Sequence, residues 1–419
     1  MTALESGHVA ERFTQLDNAP WVVVISGYQA NEHQAWRKFQ NGTPCPPFSI
    51  QTTSGTSFEA SHGQTQESMC DFSRYGGPSE EWLAVEAGLP PPQTDLSPSE
   101  RKNVVNKVRD ELAVEAMKPM ADKVQVRDWT IPTRDGATLE ARTYRPKAAG
   151  DGPLPVYLYF HGGGFLFGTL TSEDATCSRI AISTNALVVN VNYRHTPEYV
   201  YPTAWNDAED AFIWLHANIK ELDGDATKIV VGGISAGGQL TASLTLAQHL
   251  GKLPSGLPSI AGQVLMIPCL AHVDCYDGLL KKMKNPSVSS YPENESAPIL
   301  PRPMIDLFVG LLKVENPDPN DLRLNPGNAT PDQVKGLPPT TFGICGLDAL
   351  RDEGLLYAKM LTEAGVPTDI HVYKGVPHGF RRFGDKLSAS KHWDETTDSG
   401  ITWALTNPTA TGEFRIHEH

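Results

Sequence analysis

Short apolar segments alternate with helical segments along most of the chain after residue 123. Segments 124–132 and 137–146 alternate apolar and polar positions on either side of TRDG, a pattern that predicts a β-hairpin. Six further segments are predominantly apolar: PVYLYF, ALVVNVNY, KIVVGG, AGQVLMIP, TTFGICG and DIHVYKG. Helical patterns follow most of them, and strands of this kind are buried on both faces of a parallel sheet. The pattern therefore predicts an α/β fold with a mostly parallel central sheet and helices on both faces.

Three stretches depart from this alternation. Residues 1–68 are polar apart from one apolar patch, WVVVISGY (21–28), and show no sustained period. Residues 69–123 contain two helical patterns, each opened by a serine cap, and residues 273–335 are rich in proline and asparagine. We therefore divide the chain into an atypical extension (1–68), an N-terminal helical segment (69–123), a core in two parts (124–272 and 336–408), an insertion (273–335) and a tail (409–419).

The extension is expected to be dispensable for the fold. It offers little apolar surface to offset an ordering entropy of about 1–2 kcal/mol per residue. The regular pattern begins beside Met69, which is a candidate for the true start of the protein. A chain that begins at Met69 is expected to keep its melting temperature and its activity.

Composition argues against several classes of partner and site. The formal net charge is −14, which disfavours nucleic acid or an anionic membrane surface as the main partner. The six cysteines show neither CxxC nor metal-ligand spacing, so no metal is expected; Cys269 and Cys275 could bridge, but reduced thiols are favoured. No apolar run reaches the ~20 residues that span a bilayer, and MTALESGHVAERFTQ lacks the apolar core of a secretion signal. These features predict a cytoplasmic protein without an integral membrane span.

The segment GISAGG places Ser235 between a predicted strand and a predicted helix. It satisfies G-x-S-x-G in the strand–turn–helix context that this motif requires of a nucleophile. Gly233 and Gly237 are expected to permit close passage of the strand and the departing helix. A plain glycine-rich turn is the alternative, while a phosphate-binding loop lacks its G-x-x-x-x-G-K-[ST] pattern.

A serine nucleophile needs donors for the oxyanion, a base and an acid that orients the base. The glycines of HGGGF (Gly162, Gly163 and Gly164) follow a predicted strand, and their backbone N–H groups with that of Ala236 predict an oxyanion hole. His378 follows the end of the strand DIHVYKG, whereas His371 lies inside it, so His378 is the predicted base.

Three acids follow the strand TTFGICG. Asp348 comes at the strand end, where catalytic loops lie in such sheets, and is the predicted acid of the triad. Asp352 and Glu353 fall in the first turn of the next predicted helix, where acids commonly favour the positive end of the helix dipole.

The set HGGGF, YRHTPE (193–198), GISAGG, DALRDEG and HGF resembles the hormone-sensitive-lipase-like group of α/β-hydrolase esterases, over roughly residues 75–405. The resemblance implies the α/β-hydrolase fold and hydrolysis of a small carboxylic ester by the triad Ser235, Asp348 and His378, without a cofactor. It also implies a helical cap built from residues 75–120 and 273–335. His195 and Thr196 depart from the commoner apolar pair of the family, and residues 1–68 have no counterpart in it.

The resemblance favours a short to medium acyl group, for which an acetyl ester of a specialised metabolite is one candidate. No long apolar lid helix is evident in residues 273–335. Two alternatives remain at this point: a small-molecule receptor, which in related plant proteins lacks the histidine, and a lyase or other tailoring enzyme on the same fold. The sequence does not indicate an oligomeric state.

Overall fold

A computed structural model describes residues 69–90 and 95–419. The predicted extension 1–68, including the patch 21–28, lies outside the described residues. Within the described residues, no helix is both long enough and apolar enough to cross a bilayer.

In the described part of the chain, nine strands form one sheet in the order β1-β2-β4-β3-β5-β6-β7-β8-β9. Their bounds are Val124–Pro132 (β1), Thr138–Pro146 (β2), Leu154–Phe160 (β3), Leu187–Asn192 (β4), Gly224–Ile234 (β5), Gly262–Met266 (β6), Thr340–Leu347 (β7), Thr368–Pro377 (β8) and Ile416–Glu418 (β9). The pairs β1–β2 and β2–β4 are antiparallel, and every other pair is parallel. The predicted hairpin and the mostly parallel sheet are therefore confirmed.

Helices follow most of the parallel strands. The longer helices are Glu80–Glu86 (α1), Pro98–Met117 (α2), Asp174–Thr184 (α3), Thr203–Asn218 (α4), Ala236–His249 (α5), Arg302–Leu312 (α8), Arg351–Glu363 (α10) and Ala389–Ala404 (α11). Three four-residue helices are Asp277–Leu280 (α6), Ser290–Glu293 (α7) and Pro331–Val334 (α9). Both predicted serine caps are present: Ser79 accepts from the Trp82 N–H at 3.1 Å, and Ser97 forms a capping box with Glu100.

Alternate residues of β3 face the two helical layers. Leu158 is buried in a cluster with Phe212 of α4, whereas Tyr157 is buried in a cluster with Trp393 of α11. Successive side chains of a strand point to opposite faces, and both faces here are covered. The predicted helical layers on the two sides of the sheet are confirmed.

Helix α3 was not predicted from the pattern, and neither was the last strand, whereas the segment 273–335 was expected to be loosely helical. Helix α3 lies between β3 and β4, and α8 lies in the segment 273–335. Strand β9 has only three residues, of which His417 and Glu418 are polar, and it pairs in parallel with the edge of β8. A segment as short as β9 contains too few residues to show an alternation of apolar and polar positions.

Candidate active site

Ser235 lies at the turn between β5 and α5. Its backbone has φ 56° and ψ −115°, a left-handed conformation that side chains other than glycine rarely adopt. A Cβ on Gly233 would lie 2.3 Å from the carbonyl oxygen of Gly237, and one on Gly237 would lie 2.0 Å from that of Phe160. The close passage expected of Gly233 and Gly237 is thus present, and the missing Cβ atoms permit the sharp turn at Ser235.

Hydrogen bonds join Ser235, His378 and Asp348 in one chain. His378 is the first residue after β8, and its Nε2 lies 2.9 Å from the Ser235 Oγ. Its Nδ1 lies 2.7 Å from Oδ2 of Asp348, the first residue after β7. Both residues are buried. The structure therefore brings together the three side chains that the sequence singled out.

The loop that carries Asp348 is fixed by its own hydrogen bonds. The second carboxylate oxygen, Oδ1, accepts from the Leu350 N–H at 3.0 Å. Asn294 donates from Nδ2 to the main-chain carbonyl of Asp348 at 3.3 Å. Sequence reasoning did not identify Asn294, because the contact spans 54 residues of chain. These bonds leave Oδ2 directed at His378.

The two other acids of this region bind other groups. Asp352 pairs with Arg351 at 2.8 Å and accepts from the Ser290 N–H at 2.7 Å, while Glu353 accepts from the Leu270 N–H at 2.6 Å. Both lie in the first turn of α10, as predicted, but they are fully buried. Burial raises the pKa of Asp352 and raises that of Glu353 well above its usual value. Both acids are therefore buried in the first helical turn and bind groups other than His378.

His371 lies in β8, away from the chain that ends at Ser235. Its Nδ1 lies 2.8 Å from the Nε2 of His419, and the two rings are stacked 5.1 Å apart. Its Nε2 lies 3.0 Å from Asp369. The predicted distinction between His371 in the strand and His378 beyond its end matches the structure.

The glycines of HGGGF form a turn after β3 that faces Ser235. Gly163 has φ 138° and lines the same cavity as Ser235. The Gly162 carbonyl oxygen lies 3.1 Å from the Nδ1 of His161 and accepts from Arg109 at 3.5 Å. Because a trans peptide is planar, the Gly163 N–H points in the direction opposite to this carbonyl. The peptide is thus oriented with its N–H away from His161.

A buried histidine pair lies under this loop. The Nε2 atoms of His161 and His195 are 3.3 Å apart, and the His161 ring stacks on Tyr193 at 4.4 Å. Burial lowers the pKa of His161 to about 4 and that of His195 well below its usual value. Both rings are therefore neutral at pH 7. Since the Gly162 carbonyl can only accept, His161 carries its proton on Nδ1 and accepts on Nε2 from His195.

Arg109 and Glu173 form an ion pair beside the loop, at 2.7 Å. Glu173 is buried and also accepts from the Tyr159 hydroxyl at 2.9 Å. Burial alone would raise the pKa of Glu173, but Arg109 and the hydrogen bonds outweigh it and hold the pKa below its usual value. Sequence reasoning identified neither residue, because α2 contributes Arg109 from a distant part of the chain.

A cavity of about 870 Å³ contains Ser235 and His378. Helices α2 and α8 form much of its wall, and Phe308 of α8 lies so close to the loop that a Cβ on Gly164 would be 2.5 Å from its ring. Phe308 also packs edge-on against Phe167, with ring centroids 5.8 Å apart. The segment 273–335 thus contributes a short helix of 11 residues, α8, whose apolar side chains line the cavity, and it holds no long lid helix among its described residues.

Not every predicted cap element reaches the cavity. Trp82 of α1 is buried against Phe383, with ring centroids 5.3 Å apart, and none of the described residues of α1 lines the cavity.

Cys269 lines the cavity as a free thiol, and Cys275 is also free, as predicted. Within the described ranges, no group of three or more histidine, cysteine or acidic side chains is arranged to hold a metal ion.

Comparison with known proteins identifies the family. A family model described as the alpha/beta hydrolase fold matches residues 157–382, more than half of the chain. The chain belongs to this α/β-hydrolase family. The versiconal hemiacetal acetate esterase of Dothistroma septosporum is 33% identical over 295 residues, which cover 70% of this chain and 85% of that protein. Carboxylesterase NlhH of Mycobacterium tuberculosis is 36% identical over 273 residues, 64% of this chain and 78% of that protein.

Solved structures agree with this assignment. The crystal structure of vibralactone cyclase superposes with a TM-score of 0.71 at 27% identity, covering 79% of this chain and 96% of that one. The resemblance to the hormone-sensitive-lipase-like esterases and the predicted fold are confirmed. This α/β hydrolase is an enzyme of the carboxylesterase type.

Proposed function

We propose that this α/β hydrolase cleaves a small carboxylic ester through an acyl-enzyme on Ser235. The observation that carries the proposal is the continuous chain of hydrogen bonds from Asp348 through His378 to the Ser235 Oγ, with distances of 2.7 and 2.9 Å. In such a chain the histidine can remove the hydroxyl proton while the carboxylate holds its tautomer. Hydrolysis of an activated ester by the purified protein, with release of acid and alcohol, is the direct test.

The proposed reaction has two halves. His378 takes the proton from Ser235 as Oγ attacks the ester carbonyl carbon, and the carbonyl electron pair moves to oxygen. The tetrahedral intermediate collapses, the alcohol leaves with the proton from His378, and the acyl group stays on Oγ. Water then attacks the acyl carbon with the same proton transfers and releases the acid. These steps need only water and the side chains of the triad.

Gly162 to Gly164 and Ala236 are the proposed oxyanion hole. The N–H groups of Gly163, Gly164 and Ala236 belong to the two turns that meet at Ser235, where charge develops on the carbonyl oxygen. Donors fixed before the reaction stabilise this charge without reorganisation. The bonds of His161 and Arg109 to the Gly162 carbonyl support a fixed orientation of the Gly163 N–H.

The acyl group is proposed to be short to medium in length. Phe308, Phe167 and Gly164 pack together in the wall of the cavity that contains Ser235, and the part of the wall from α2 and α8 is mainly apolar. One relative is named for the acetate ester that it cleaves, which supports an acetyl ester as a candidate. A solved relative is named a cyclase, so product analysis must show acid and alcohol rather than a rearranged product.

Chain-length preference is expected to depend on Phe308. With 4-nitrophenyl esters from acetate to dodecanoate, the wild type should prefer the shorter acyl groups. Phe308→Ala removes the ring beside Gly164 and should shift the optimum kcat/KM towards longer chains. Asp306→Ala, on the exposed side of the same helix, is the control and should keep the wild-type profile. A wild-type optimum at dodecanoate, or an unchanged profile in Phe308→Ala, would contradict the assigned acyl site.

Asp348→Asn is expected to lower kcat by about 10⁴, since the amide leaves His378 in the wrong tautomer. Asp352→Asn is the matched control, because it makes the same change four residues away at a carboxylate bound to Arg351 and Ser290. It should lower the melting temperature but leave kcat of the folded protein near the wild-type value. Steady-state kinetics on folded protein, with thermal melts, separates the two. A larger loss of kcat in Asp352→Asn would show that the acid is wrongly assigned.

A further inference from the structure

Arg382 lies at the mouth of the cavity, four residues after His378. Its Nε donates to the carbonyl of Gly379 at 3.0 Å. The guanidinium folds back so far that a Cβ on Gly379 would lie 2.8 Å from its Nη2. The charge is thus held over the residue that follows His378, and Arg382 lines the same cavity as Ser235.

Arg382 differs from the other cations around this cavity. Arg381 pairs with Asp394 at 2.7 Å, and Arg109 pairs with Glu173 at 2.7 Å. In residues 69–90 and 95–419, Arg382 forms no ion pair, and its single protein hydrogen bond uses Nε. Both Nη groups are therefore left to a ligand, and a guanidinium binds carboxylates through such paired donors.

The electrostatic surroundings of Arg382 also favour an anion. Arg382 is an exposed side chain, and the neighbouring protein and, to a lesser extent, the charge of Arg109 lower the pKa of its guanidinium to about 10. The group remains cationic at pH 7, and no carboxylate of the described residues lies within ion-pair distance of it. Asp385 also lines this cavity. It lies beyond ion-pair distance of Arg382, and its negative charge opposes the approach of an anion.

We propose that Arg382 binds an ionised carboxylate of the substrate, so that the substrate class is an ester that carries a second, free acid group. This inference rests on the proposed ester hydrolysis at Ser235. The carboxylate can belong to the acyl portion or to the alcohol portion of the ester. In either place, its ion pair with Arg382 would anchor the molecule beside His378.

Two matched pairs of esters test the proposal and distinguish the two portions. For the acyl side, the 4-nitrophenyl hemiester of glutaric acid is compared with 4-nitrophenyl pentanoate. For the alcohol side, 4-acetoxybenzoate is compared with phenyl acetate. Each is measured with the wild type, Arg382→Met, Arg382→Lys and Asp385→Asn. Thermal melts of each variant verify the fold.

The expected result is a selective loss. Arg382→Met should lower kcat/KM for the charged member of at least one pair by about 10- to 100-fold, as for loss of a charge-assisted hydrogen bond. It should leave the neutral esters unchanged. Arg382→Lys should retain part of the preference, and Asp385→Asn should increase kcat/KM for the same charged ester. High salt should weaken the preference.

The outcomes separate this inference from the proposed function. If the wild type cleaves none of the four esters, the proposed function fails. If it cleaves the neutral esters, and Arg382→Met changes charged and neutral members alike or changes neither, ester hydrolysis stands and the role of Arg382 is overturned.

Discussion

Ser235→Ala is expected to keep the fold and to lower kcat for a 4-nitrophenyl ester by about 10⁶. Removal of the nucleophile of a triad typically costs this much, because the remaining members act only together with it. The substitution removes only Oγ, at a backbone position fixed by Gly233, Gly237 and the bond from the Ser235 N–H to the Met266 carbonyl at 2.9 Å. Burst kinetics and mass spectrometry should show an acyl adduct in the wild type and none in the variant.

Ser243→Ala is the matched control for this prediction. Ser243 lies eight residues further along, in the helix α5 that begins directly after Ser235, and is buried outside the cavity. The same substitution there should leave kcat unchanged. Turnover by Ser235→Ala within tenfold of the wild type would remove Ser235 from its proposed role. Cys269, a free thiol that lines the same cavity, is a poor substitute because burial raises the pKa of its thiol well above the usual value.

The members of the hydrogen-bonded chain could be found from sequence because each lies at the end of a strand. Ser235, Asp348 and His378 follow β5, β7 and β8, and the carboxyl ends of parallel strands meet at one edge of the sheet. A local pattern that locates the strand end therefore also locates the side chain. The same reasoning found the glycines after β3.

The residues that hold the site in place from other elements could not be found in this way. Arg109 and Asn294 reach the site from α2 and from the segment between β6 and β7, and His195 meets His161 across 34 residues of chain. The local pattern of apolar and polar residues does not indicate such contacts, because they depend on how separate elements pack. The bounds and position of helix α8 could not be predicted for a related reason: its eleven residues lie in a proline-rich segment and pack against Gly164 and Phe167.

His378→Ala is expected to be as damaging as the loss of Ser235, with kcat lowered by about 10⁶. In the described part of the chain, His378 is the one side chain hydrogen-bonded to the Ser235 Oγ, so its loss removes both the base and the proton donor for the leaving alcohol. The buried Asp348 also loses the partner of its Oδ2. Kinetics on folded protein, at the pH optimum of the wild type, give the measurement.

His371→Ala is the control, seven residues earlier in the same strand segment. His371 binds His419 and Asp369 at the sheet edge, so its removal should lower the melting temperature while kcat stays largely intact. The pair also tests the placement of the strand end, because His371 lies within β8 whereas His378 directly follows its last residue, Pro377. Equal loss of kcat in both variants, with the fold retained, would show that catalysis depends on the strand edge and not on the hydrogen bond from His378 to Ser235.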